Sequence, residues 1–139
     1  MIDPIAHSVV YLSAAQVLFI HSRLIAETGG LAGVRDLGLL AAAVARPQAT
    51  FDGADLYPDR FSKAAALMDS LTRNHPFADG NKRVGITAAG LFLLLNGRRL
   101  TASNATLEQF TLWVAQSQRS FQQIANWFQE FSEEISSHP

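Results

Sequence analysis

The sequence predicts an all-α fold in a single domain covering residues 1–139, and three observations carry that expectation. Capping residues stand ahead of successive apolar stretches, the apolar residues inside those stretches recur at helical rather than alternating spacing, and glycine or proline closes several of them. Nearly half the chain, 48%, is hydrophobic, so a sizeable core is available.

The elements follow in order. Ser13 with Gln16 forms a capping-box pattern ahead of "QVLFIHSRLIAE", and Gly29-Gly30 supply a stop. Asp36 can cap "LGLLAAAVA", which must end before Pro47 because proline disfavours helical backbone in the residue ahead of it. Asp59 can cap "RFSKAAALMDSLTRN", with Phe61, Ala65, Met68 and Leu71 at helical spacing, and Pro76 forces a stop at His75. A fourth helix starts near Asn81 and runs to Asn96-Gly97. It is apolar on nearly every face, so a central position is expected. Gly85 and Gly90 weaken it by roughly 1 kcal/mol each relative to alanine, and close helix approach is the expected compensation. Two amphipathic helices complete the chain, one after Ser103-Asn104 and one from Ser120, where Gln123 makes a second capping box. The segment "PQATFDGADLYPD", residues 47–59, breaks the pattern with turn residues and reads as an exposed loop or short ribbon near the corner described below.

Composition excludes several functions. Eleven basic against twelve acidic residues create no overall field for nucleic acid or an anionic membrane, so neither is an expected partner. The absence of cysteine removes disulfides, thiol nucleophiles and cysteine-ligated zinc. The N-terminus lacks a basic region followed by an apolar run, so a cytoplasmic protein is expected. The longest oily run, Val84 to Leu95, is too short to cross a bilayer.

Chemistry concentrates in "RNHPFADGNKRVG", residues 73–85, at the corner between the third and fourth helices. The first amides of the fourth helix, from about Gly80 to Arg83, have no intrahelical acceptors and sit at the positive end of its dipole, which suits phosphate. Gly80 permits close backbone approach, and Asn81 can cap the helix or brace the loop. Lys82 and Arg83 add two mobile cations, and a guanidinium grips phosphate oxygens in pairs. Asp79 is either an ion-pair partner for those cations or a hard oxygen ligand for magnesium. His75 is the obvious proton acceptor, histidine being the side chain that ordinarily changes charge near neutrality.

Spacing by itself leaves the plainer roles open. His75 serves equally as a helix C-cap, and Asp79, Lys82 and Arg83 taken singly read as solvated or salt-bridged loop residues. Phe77 reads as a structural anchor. His7, His21 and His138 show no metal-ligand spacing and read as surface or packing residues, Trp113 and Trp127 as core, and Arg98-Arg99 as satisfying helix-end carbonyls.

"HPFADGNKR", residues 75–83, resembles the signature loop of the Fic/Doc family, specifically its Doc branch of death-on-curing toxins. The resemblance runs from about Tyr11 to Gly97 through "TGGL", "AAAVARPQATF", "LYPD", "KAAAL" and "RNHPFADGNKR" in order. It implies an all-helical Fic fold with this loop between two central helices and a flap, here about residues 49–57, against which a target chain docks. It further implies His75 as the base for a target hydroxyl and Phe77 as loop anchor. Asp79 would hold Mg2+ against the nucleotide phosphates, Gly80, Asn81 and Lys82 would form an anion cradle, and Arg83 would clamp phosphate.

Two positions depart from the AMP-transferring pattern H-P-F-x-x-G-N-G-R-x-x-R. Lys82 replaces its second glycine and Ile86 its second arginine, changes shared by Doc-like members. Lysine fills and charges the place where the diphosphate would lie, and isoleucine cannot hold phosphate. The resemblance therefore implies a nucleotide bound the other way round, with ATP presenting its γ-phosphorus to a threonine or serine hydroxyl of a translation protein, elongation factor Tu in the Doc case. Conversely, Gly80 matches the Fic form, where some Doc proteins carry alanine, so adenylyl or other nucleotidyl transfer stands as the second reading. A non-catalytic regulator binding nucleotide or a partner is the third. The inhibitory pattern [ST]-x-x-x-E-[GN] of many Fic enzymes has no match in this chain, and a separate, partly disordered antitoxin is the expected partner.

Overall fold

A computed structural model describes residues 9–116 and 120–135. His7 and His138 lie outside them. Among the described residues six helices form: α1 Ala14–Thr28, α2 Leu37–Ala45, α3 Arg60–Asn74, α4 Asn81–Leu95, α5 Asn104–Gln116 and α6 Phe121–Glu130. Among the described residues no helix is long and apolar enough to cross a membrane.

The local signals act as expected. Ser13 and Gln16 close a reciprocal capping box, Asp36 Oδ1 accepts from Leu39 N, Asp59 from Ser62 N, and Ser120 pairs with Gln123. Ser103 Oγ accepts the Thr106 amide at the start of α5. After α2 the chain tightens into a single 3-10 turn, Arg46–Gln48, with Pro47 inside it.

The two central helices are α3 and α4, joined by the corner. Ala64, Ala65, Leu67, Met68 and Leu71 of α3 face Val84, Ala88, Ala89, Phe92 and Leu93 of α4 within one core to which Leu40, Phe110, Ile124 and Phe128 also belong. Gly85 allows the pair to approach: a Cβ there would run into the Thr72 hydroxyl and come within 3.4 Å of Met68 O. Gly90 does the same toward Leu100, 3.1 Å away. The end of α4 departs from expectation, because Leu94 and Leu95 are 47% and 42% exposed.

Residues 47–59 hold a two-stranded ribbon, β1 Thr50–Phe51 and β2 Ala54–Asp55, turned by Asp52 and Gly53. Both turn residues have positive φ, 53° and 81°, which gives the strands the twist of a tight hairpin. The ribbon is exposed, Phe51 at 76%. It is seated on the first half of α3 by Lys63, a fully buried cation that reaches Asp55 Oδ2 at 3.1 Å and Pro47 O at 3.2 Å.

A second ribbon was not foreseen: β3 Arg98–Leu100 pairs antiparallel with β4 Ser132–Glu134. Each strand has three residues, too short for alternation to register, and the partner lies beyond two helices. This revises the reading of Arg98-Arg99. Arg98 donates to Ser132 O at 2.7 Å and Gln129 O at 3.3 Å, so it satisfies the end of α6 rather than α4, and Arg99 pairs with Glu133 at 2.9 Å. The α4 end is met by Arg60, whose Nη1 donates to Asn96 O at 2.8 Å. Trp113 and Trp127 are half-buried rather than core, with Trp127 stacked on Phe110 at 3.7 Å.

Candidate active site

His75 ends α3. Its backbone turns left-handed, φ 53° and ψ 59°, a conformation costly to any residue with a Cβ, and its side chain is exposed. The C-cap reading holds for the backbone only: His75 occupies the C-cap position, but its imidazole remains outside and does not bond the last carbonyls of the helix. Arg35 caps the same helix end from another segment, its Nε donating to His75 O at 2.6 Å and its Nη2 to Asn74 O at 2.8 Å.

The loop beyond His75 is pinned residue by residue. Pro76 O accepts the amides of Arg35 and Asp36 at 2.8 and 3.0 Å, and Ala78 N donates to Gly33 O at 3.1 Å, closing a one-residue bridge between Val34 and Phe77. Phe77 is 1% exposed, and burial of that size contributes roughly 2 kcal/mol. Asn81 braces the loop instead of capping α4. Its Oδ1 accepts from Phe77 N and its Nδ2 donates to Phe77 O, both at 3.0 Å. These two bonds fix the amide's orientation, so the atom facing His75 Nδ1, at 3.4 Å, is the nitrogen. The N-cap itself is Gly80, at φ 79°.

Asp79 lies between these groups. The amide of Leu31 donates to its Oδ2 at 3.2 Å and that of Gly80 to its Oδ1 at 2.8 Å, and these two bonds, the first above all, hold the carboxyl below the usual carboxylate range. Partial burial works against them, and the positive charge of Arg83 works with them. The expectation of four free amides from Gly80 to Arg83 is therefore corrected at Gly80, whose N–H is taken by Asp79. Those of Asn81, Lys82 and Arg83 occupy the first turn of α4 and have no acceptor within that helix.

Lys82 and Arg83 are exposed at the same end. Arg83 Nη1 donates to Thr28 Oγ1 at the end of α1, and the Thr28 hydroxyl donates onward to Leu24 O at 2.7 Å. Ile86, one turn further along α4, is half-buried against the core. The result is a ledge with an exposed imidazole, two cations, a first-turn amide array and one ionised carboxylate. Two clefts, about 400 Å³ between α5 and α6 and about 360 Å³ beside Leu91, involve none of these residues.

Asp79 is a hard, ionised oxygen donor, but among the described residues no three His, Cys, Asp or Glu side chains cluster to hold a metal. The donor set fits a cation resting on one carboxylate with phosphate oxygens and water, a coordination magnesium accepts and zinc generally does not.

Three contributors to the site were not foreseen: Arg35, the Leu31 amide and His21, which reads from the sequence as a surface or packing residue and whose Nε2 lies 2.8 Å from Asp79 O. A glycine pair after α1 needs only one member as a stop. The second, Gly30 at φ 112°, faces Asp79, and a Cβ there would lie 2.6 Å from Oδ2. That redundant glycine was the available signal of a close approach.

Residues 11–93 match the family model described as the Fic/DOC family. The chain is 60% identical over 74 residues, 53% of its own length, to Toxin Doc of Mycolicibacterium smegmatis, and spans 57% of that relative's length. It is 30% identical over 116 residues to Protein kinase doc of Escherichia phage P1, covering 84% of this chain and 90% of the phage protein.

Proposed function

The chain belongs to the Fic/DOC family, and on that premise we propose that it is a Doc-like toxin transferring the γ-phosphoryl group of ATP to a threonine or serine hydroxyl of a translation protein, elongation factor Tu by resemblance. The observation that carries this reading is the exposed His75 ring braced by Asn81 across the corner from the open first turn of α4. The name of the phage relative, a protein kinase, supports phosphoryl rather than nucleotidyl transfer.

In this reading the amides of Asn81 to Arg83 and the Lys82 and Arg83 side chains hold the polyphosphate. Asp79 would hold magnesium, which when bound offsets phosphate charge. The target hydroxyl oxygen forms a bond to the γ-phosphorus, its proton passes to the His75 imidazole, and the bond to the β-γ bridging oxygen breaks to release ADP. Arg83 must leave Thr28 or share it to reach a phosphate. The exposed ribbon at residues 49–57 receives the target chain. A cytoplasmic location, where ATP and the translation machinery are at hand, and control by a separate antitoxin complete the proposal.

Purified protein should move label from γ-labelled ATP to elongation factor Tu, and His75→Ala should stop it without unfolding the chain. Label arriving only from the α-position would replace this reading with nucleotidyl transfer, which the glycine at position 80 favours. Saturable nucleotide binding without any modified protein would leave a binding regulator.

A further inference from the structure

Only Val17 and, one turn later, His21 are buried on α1. A polar ring in so apolar a place must have its hydrogen bonds met. The His21 ring stacks on Phe77, with centroids 3.9 Å apart and planes 7° from parallel, and its Nε2 lies 2.8 Å from Asp79 O. A carbonyl only accepts, so Nε2 carries the proton and donates it. The same ring edge stands 3.8 Å from where a Cβ on Gly80 would lie. One side chain from a different helix therefore touches or flanks three of the four residues from Phe77 to Gly80.

We infer that His21 is a positioning residue for the phosphate-binding loop. Its Nε2–H holds the Asp79 carbonyl while Phe77 fixes the plane of the ring, and with the carbonyl held the Asp79 carboxylate stays aimed between the Leu31 and Gly80 amides. Leucine would fill the same space without holding the peptide. The part of this inference that concerns ligand binding rests on the nucleotide reading above, whereas the part that concerns loop geometry does not.

The test separates the two. In nucleotide-free protein, amide exchange at Ala78 and Gly80 is expected to quicken about tenfold in His21→Phe, which keeps a stacking ring but lacks the donor, while amides of α3 and α4 keep their rates. His21→Gln, which returns an N–H, should recover part of the protection, and the Kd for ATP with magnesium should rise about tenfold in His21→Phe. Unchanged exchange in His21→Phe overturns the inference, as does a loss of protection spread across the core or an unaltered ATP affinity. If the wild-type protein binds no ATP yet exchange follows the donor, the loop role stands and the nucleotide reading falls. Should neither variant fold, the nitrogen spectrum of His21 in the wild-type protein decides: a proton on Nε2 upholds the donor, and a lone pair there sinks it.

Discussion

The carbonyl of His75 accepts the Arg35 Nε–H at 2.6 Å, so the proposed base is held by a side chain forty residues away rather than by its own helix. Removing that fork releases the end of α3. Arg35→Ala is expected to cost about 1 kcal/mol of stability in thermal unfolding. Label transfer should fall about tenfold or more, because the loss is one of orientation. Arg35→Lys should not restore it, since an ammonium cannot serve the two carbonyls as a planar fork does. Full activity in Arg35→Ala would show that the corner holds itself.

The left-handed backbone of His75 sets stability against function. Glycine accepts φ 53° without steric cost, so His75→Gly should be more stable than His75→Ala by about 1 kcal/mol. Both variants should be inactive. Denaturant unfolding of the two side by side checks the first point. Equal stability would mean that the backbone is not left-handed there, and activity in either would place the base elsewhere.

The closest approach of α3 and α4 rests on Gly85. An added methyl meets the Thr72 hydroxyl, and Gly85→Ala is expected to destabilise by about 1–2 kcal/mol despite alanine's better helix propensity. Thr72 Oγ1 has no hydrogen-bond partner among the described residues, so Thr72→Ala alone should cost little. In the double variant most of the loss should return, giving a coupling energy of about 1 kcal/mol in a double-mutant cycle. Simple additivity would refute direct contact.

Acid should reveal the hydrogen bonds of Asp79. Folding lowers its pKa, so the carboxylate adds stability that is fully present above its unfolded value, about 4, and is lost as pH falls through the lower folded value. The stability gap between wild type and Asp79→Asn should therefore hold steady from neutral pH to about pH 4 and shrink below it. Unfolding midpoints across that range give the answer, and a gap that persists undiminished in strong acid contradicts it.

Much of this molecule could be read from neighbouring residues. Ser13, Asp36, Asp59 and Ser120 announce their helices because a cap bonds an amide two or three positions away, and Pro76 limits α3 by clashing with the residue before it. The candidate residues from His75 to Arg83 were likewise legible as a group, since one loop and the first turn of α4 carry them all. The short ribbon of β3 and β4 was not, because three-residue strands carry no period and find their partner across α5 and α6.

What the sequence by itself determined is the set of six helices and the chemical inventory of their one corner. Tertiary structure alone decided how that inventory is aimed. Beyond the local Gly80 and Asn81, the donors that hold Asp79 and His75 come from His21, Leu31 and Arg35, on segments brought to the loop by the packing of α1 on α4 and of α2 on α3. Hydrogen bonds between distant segments depend on where a peptide group ends up in space, and residue spacing along the chain holds no record of that.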